Sequence, residues 1–215
     1  MFKVNKFDLL ISVYIFCIVA AELMGGKTFP LAKIGNFNLN ASVAVFLIPL
    51  LFTINDVIIE VHGKERARSV VRSGLFVVVL VILFSTLATW LPPSVRFMER
   101  EAAYDNIFIT SIRISLASLI AFTISEFLDI YIFSLIREKL GKSKLWLRNN
   151  ASNIISQFFD TVIFMSLAFY GLDKSFGSNF SFLTSLILPY WLLKSSLSII
   201  ETPFVYWGVK WLKEK

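Results

Sequence analysis

Six mostly apolar stretches, each about 20 residues or longer, decide what this chain can become, since a helix crossing the hydrocarbon layer of a bilayer needs roughly that length. They lie near residues 7–24, 39–61, 69–91, 106–136, 150–170 and 182–209. Together they take up most of the 215 residues, and no connection reaches the about 50 residues of a small independent soluble domain. Of the chain, 56% is apolar and 17% charged, with a mean hydropathy of +0.72, against about 25% charged in soluble domains. An ordinary soluble enzyme is excluded. The expected fold is an all-α membrane protein, with residues 1–215 forming a single domain of six transmembrane helices.

The first stretch follows Lys3 and Lys6, as the apolar region of a secretory signal would. Val19-Ala20-Ala21-Glu22 makes a poor cleavage site, however, and five more spans follow, so this stretch is read as helix 1. Residues 25–38 hold three glycines, a proline and two asparagines and read as a turn-rich connection. Helix 4, with about 30 residues, would span roughly 45 Å and must tilt or protrude. Pro49, Pro189 and Pro203 each remove a helical hydrogen bond, so kinks are expected there.

Orientation follows from the cations. Fourteen of the 21 Lys and Arg residues fall at the N-terminus, the 2–3 connection, the 4–5 connection and the C-terminus. Lys27, Lys33, Arg96, Arg100 and Lys174 lie on the other side, and Arg113 and Lys194 lie inside spans. Both termini are therefore expected in the cytoplasm. The net charge of +6 is spread between apolar runs and not along one soluble face, so membrane lipid and not nucleic acid is the expected surrounding partner. One cysteine, Cys17, and one histidine, His62, leave no disulfide and no usual zinc site. No nucleotide-binding or nucleophile motif occurs; neither enzymatic activity nor a cofactor is expected, and no metal site.

The spans carry charges that a lipid-facing surface would not tolerate: Glu22, Asp56, Glu60, Glu126, Asp129, Asp160 and Glu201, with Arg113, Lys194, Asn55 and Gln157. At about 2.5 to 3.5 kcal/mol per central charge, seven lipid-facing carboxylates would cost up to roughly 20 kcal/mol, beyond the about 5 to 15 kcal/mol that holds a typical fold together. They must turn inward, which makes them functional candidates. Asp56 and Glu60, Glu126 and Asp129, and Gln157 and Asp160 each share a helix face. Plainer readings stand beside these. Glu60 can be an interfacial partner of Arg66, Glu22 a partly hydrated structural group, Arg113 a snorkelling side chain and His62 a solvated turn residue. Asp160 is too deep to snorkel; Lys194, at similar depth, is its natural counter-charge, so a structural Asp160–Lys194 pair is the rival to a ligand site.

Several blocks resemble one family. Phe52-Thr53-Ile54-Asn55-Asp56-Val57-Ile58-Ile59-Glu60-Val61-His62-Gly63, followed by Arg66-Ala67-Arg68, resembles the helix 2 signature of queuosine-precursor transporters, the vitamin-uptake-transporter proteins. Residues 113–118 with Ala121, Asp129 and Phe133 resemble its helix 4. Leu147-Arg148-Asn149-Asn150-Ala151-Ser152 with Gln157, Asp160, Thr161 and Phe169-Tyr170-Gly171 resembles its helix 5. Lys27, Lys194 and Pro203 also fall where that family has them, while Glu22 stands where it more often has Asn.

The resemblance implies uptake of a 7-deazaguanine base, such as 7-cyano-7-deazaguanine or its aminomethyl relative, across the inner membrane of a bacterial cell. It also implies a fold similar to the six-helix substrate-binding subunits of energy-coupling-factor transporters. A guanine-like edge presents paired N–H donors to a carboxylate, amides can meet its carbonyl and ring nitrogen, and aromatic rings can stack on it. The substrate-binding set expected is Asp160, Gln157, Glu126, Asp129, Asn55, Asp56, Glu22, Lys27, Arg113 and Lys194. The rival functions are a binding subunit for another small vitamin or base that works with a separate energising module, and a non-transporting assembly factor. A homodimer is compatible with all three.

Overall fold

The structure, a computed structural model, describes residues 5–35, 37–140, 145–200 and 202–213; the side chains of Glu126 and Asp129 are among those outside the described part, as is Glu201. Helix α1 (Lys6–Met24) begins where the Asn5 side chain accepts the Phe7 N–H at 2.9 Å, with Asp8 in its first turn. Such a cap satisfies one of the amides that a helix start leaves open, and the carboxylate suits the helix dipole.

The stretch after α1 departs from the sequence reading. Residues expected as a loop leading into a helix from residue 39 instead form a two-stranded sheet, β1 (Thr28–Ile34) and β2 (Phe37–Ser42), so the fold is not strictly all-α. Gly35, at φ +59°, supplies the left-handed backbone that a tight hairpin requires. A 3-10 turn (Val43–Phe46) follows, capped by the Ser42 hydroxyl, and then α2 (Ile48–His62). Pro49 therefore sits in the first turn of α2, where no intrahelical N–H is needed, and the kink expected there has no cause.

Gly63, at φ +83°, turns the chain into α3 (Lys64–Trp90). The remaining helices are α4 (Met98–Leu140), α5 (Leu145–Phe169), α6 (Phe176–Ile200) and α7 (Thr202–Lys213). The 43 residues of α4 would run about 65 Å, far beyond a hydrocarbon layer of about 30 Å, so its protrusion is larger than its apolar run implied. Pro189 lies inside α6, whereas Pro203 opens α7 and divides the expected sixth helix in two.

Two compact units result, the first made of residues 1–29, 42–115 and 196–215, the second of residues 30–41 and 116–195. The first centres on Tyr14, Ile54, Ile58, Ala67 and Val70. In the second, Met165, Leu186, Thr161 and Ala121 are buried, and Asn40 of β2 donates to the Ser185 hydroxyl of α6 at 2.7 Å. Between α5 and α6, the buried amide of Asn179 donates to the carbonyl of Gly171 at 2.8 Å and accepts the Gly171 N–H at 2.8 Å. In the same connection the Lys174 ammonium, bonded to Asp173, holds that carboxyl below the ordinary carboxylate range and is itself raised.

Outward surfaces are apolar. Phe76, Leu83 and Phe84 on α3 and Phe127 and Tyr131 on α4 are exposed. Among the described residues, the helical segments Lys6–Met24, Val43–His62, Lys64–Trp90 and Met98–Ser125 are long and apolar enough to cross a membrane, and Ile154–Phe169 is a shorter apolar helix.

Candidate functional site

Asp160 lies nine residues before the end of α5, and Lys194 lies eighteen residues after the start of α6. Lys194 Nζ donates to Asp160 Oδ2 at 2.6 Å, with side chains only 16% and 22% exposed respectively. The other oxygen, Oδ1, receives the Ser125 hydroxyl of α4 at 3.4 Å, long for an O–H···O bond, while that hydroxyl also donates to the Phe122 carbonyl at 3.0 Å. One carboxylate oxygen is thus held tightly by a cation and the other loosely by a neutral group. Three helices of the second unit meet here.

Gln157 lies one turn before Asp160 and is half-buried; its backbone carbonyl accepts the Thr161 hydroxyl at 2.8 Å. The same two helices, α5 and α6, also meet through aromatic rings. Trp191, one turn before Lys194, stands edge-on to Phe158 at 5.4 Å between ring centroids, and its indole N–H donates to the Ile154 carbonyl at 3.3 Å. Sequence reasoning did not single out Ser125, Phe158 or Trp191. A serine or aromatic ring in an apolar helix carries no signal by itself, and only spatial neighbourhood distinguishes these.

Glu126 and Asp129 lie on α4, but their side chains fall outside the described residues. The other expected site residues belong to the first unit. There Glu22 is buried, Asn55 and Asp56 are half-buried on α2, and Lys27 and Arg113 are exposed. Lys27 borders a cavity of about 690 Å³ that also takes in Asn106, Thr110 and Ser111. Glu60 is exposed, and the exposed His62 ring packs 4.1 Å from that of Phe7. Among the described residues, no group of three or more His, Cys, Asp or Glu side chains is placed to hold a metal ion.

Several membrane-length apolar helices define a multi-pass membrane protein. A family model described as "Putative vitamin uptake transporter" matches residues 42–208. The "Probable queuosine precursor transporter" of Bacillus subtilis is 32% identical over 192 residues, covering 89% of this chain and 79% of that protein. The protein of the same name from Haemophilus influenzae is 24% identical over 150 residues, covering 67% of this chain and 58% of its own length. The "Queuosine precursor transporter" of Escherichia coli is 26% identical over 136 residues, with 61% and 56% covered. No solved structure matches the chain. The chain belongs to the vitamin uptake transporter family, a family of transporters and not of enzymes.

Proposed function

We propose that this protein imports a queuosine precursor, a 7-deazaguanine base such as 7-cyano-7-deazaguanine, across the bacterial inner membrane. The reading has six spans in one transmembrane domain, similar to the substrate-binding subunits of energy-coupling-factor transporters, with both termini cytoplasmic. The names of the relatives support the substrate class. The observation that carries the site is the asymmetric carboxylate of Asp160.

In this reading Lys194 keeps Oδ2 and holds the carboxylate in position. A substrate N–H displaces the weak Ser125 contact and bonds Oδ1. A carboxylate offers about four acceptor sites, so one oxygen can serve a cation while the other reads a ligand. Charge-assisted bonds then recover much of what desolvation of the base edge costs. Gln157 supplies amide donor and acceptor capacity one turn away, and Trp191 offers a flat face for stacking. The proposal for direct contact is confined to these residues.

The test is uptake of radiolabelled 7-cyano-7-deazaguanine by cells that lack their own precursor transporter, with and without added energy-coupling subunits. Accumulation on expression of this chain alone is expected. Accumulation only with the added subunits would establish the binding-subunit reading instead, and no accumulation in either strain would remove the substrate assignment. A homodimer fits the proposal without being required by it.

A further inference from the structure

An apolar groove of about 430 Å³ runs along the first unit between α1, α2 and α7, with walls that include Leu9, Val13, Leu50, Phe204, Trp207 and Trp211. Among the described residues, no charged side chain lines it. Its rim faces outward: Leu9 is 44% exposed, Leu50 48% and Trp207 71%. Gly208 brings α7 onto α2, because a Cβ there would stand 2.7 Å from Val57 Cγ2.

One end of this groove is cationic. Lys6 lies one turn before Leu9 and Leu10 on the same face of α1. Its ammonium donates to the Trp211 carbonyl at 2.7 Å and stands 5.4 Å from that indole ring. Lys210 and Lys213 occupy the last turn of α7, and both are exposed. Trp211 lies at the same end, and such rings favour the headgroup level of a bilayer.

We propose that the groove is a binding site for an anionic phospholipid of the leaflet at which the chain begins. One acyl chain fills the groove, and the headgroup phosphate meets Lys210, with Lys213 and Lys6 adding to the positive field. Charge selects this occupant. A second copy seated here about a two-fold axis would bring Lys210 and Lys213 of both copies towards the same axis, where like charges repel. An uncharged apolar helix would gain little over lipid, because lipid tails are as apolar as leucine, and would leave the lysines without an anion. An anionic lipid satisfies the walls and the cations together. The inference rests on the membrane placement of the family and not on the transported substrate.

The test uses delipidated full-length protein in detergent, titrated with phosphatidylglycerol or phosphatidylcholine of identical acyl chains, with bound lipid read by native mass spectrometry. The wild type should hold phosphatidylglycerol about tenfold more tightly. The double variant Lys210→Gln with Lys213→Gln should lose most of that preference and bind phosphatidylcholine as before. Leu50→Trp, which fills the groove from its rim, should weaken both lipids alike. Equal binding of the two lipids by the wild type, or an undiminished preference in the lysine variant, overturns the proposal. So does a wild-type dimer that Leu50→Trp converts to monomer without loss of lipid. The lysine variant alters exposed positions only, so it decides the headgroup assignment even if Leu50→Trp does not fold.

Discussion

Lys194 Nζ stands 2.6 Å from Asp160 Oδ2, joining α6 to α5 inside the second unit. The same contact serves two readings, since a buried pair can be structural or can hold a carboxylate ready for a ligand. Removing one partner of an enclosed pair leaves the other uncompensated, which is more costly than removing both. Stability and affinity therefore separate the readings when measured together.

Asp160→Asn is expected to weaken substrate binding tenfold to hundredfold, because the amide sets an N–H against a substrate N–H; a buried mismatch of this kind costs about 1 to 3 kcal/mol. Combining Asp160→Asn with Lys194→Met should restore the thermal midpoint while affinity stays low. Near-normal affinity in the double variant would leave only the structural pair.

The pair was legible in the sequence because two opposite charges at similar depth in apolar helices have few other ways to be accommodated. The hairpin was not. Gly35-Asn36 lies between two runs of six or seven residues; residues 25–38 read as loop because glycine, proline and asparagine are turn formers in either setting, and residues 39–42 read as the start of a helix because they lead into an apolar run. Several helices also begin before their apolar run does. Hydropathy marks only the part of a helix that meets lipid, whereas α3 begins at Lys64 and α4 at Met98, in polar turns that continue beyond it. Pro49 misled because a proline looks alike in sequence whether it opens a helix or interrupts one.

Topology is tested by single-cysteine labelling. Cys17 is 0% exposed, so it contributes little background in the folded protein. Cysteine at Ser143, in the connection rich in Lys and Arg, should react with an impermeant maleimide only after the inner membrane is opened, and cysteine at Ser94 should react from outside in intact cells. The reverse pattern would invert the orientation.

On α2, Asp56 is half-buried and Glu60 exposed. Asp56→Ala should therefore reduce uptake at least tenfold more than Glu60→Ala at equal expression, because an exposed carboxylate loses little on truncation. Equal residual uptake would contradict the ranking.

The connection between α5 and α6 depends on Asn179, which is 3% exposed and uses its amide in both directions. It donates to the carbonyls of Gly171, Lys174 and Ser175 at 2.8, 3.2 and 3.3 Å and accepts from the Gly171 N–H at 2.8 Å. Asn179→Ala strands these groups and should cost about 1 to 3 kcal/mol. Asn179→Asp keeps the acceptor for Gly171 but turns a carboxylate towards three carbonyl oxygens, so its thermal midpoint at pH 7 should fall below that of Asn179→Ala. Protonation restores one donor, so acidification should narrow the gap between the two variants. The neighbouring Asp173–Lys174 pair does not interfere in the neutral range. The lowered carboxyl contributes fully above the ordinary Asp value of about 4, and the raised ammonium contributes fully below the ordinary Lys value of about 10. Thermal melts of both variants at pH 5 and pH 8 test this, and an Asn179→Asp variant at least as stable as Asn179→Ala at pH 8 would show that the donated bonds are not what holds the connection.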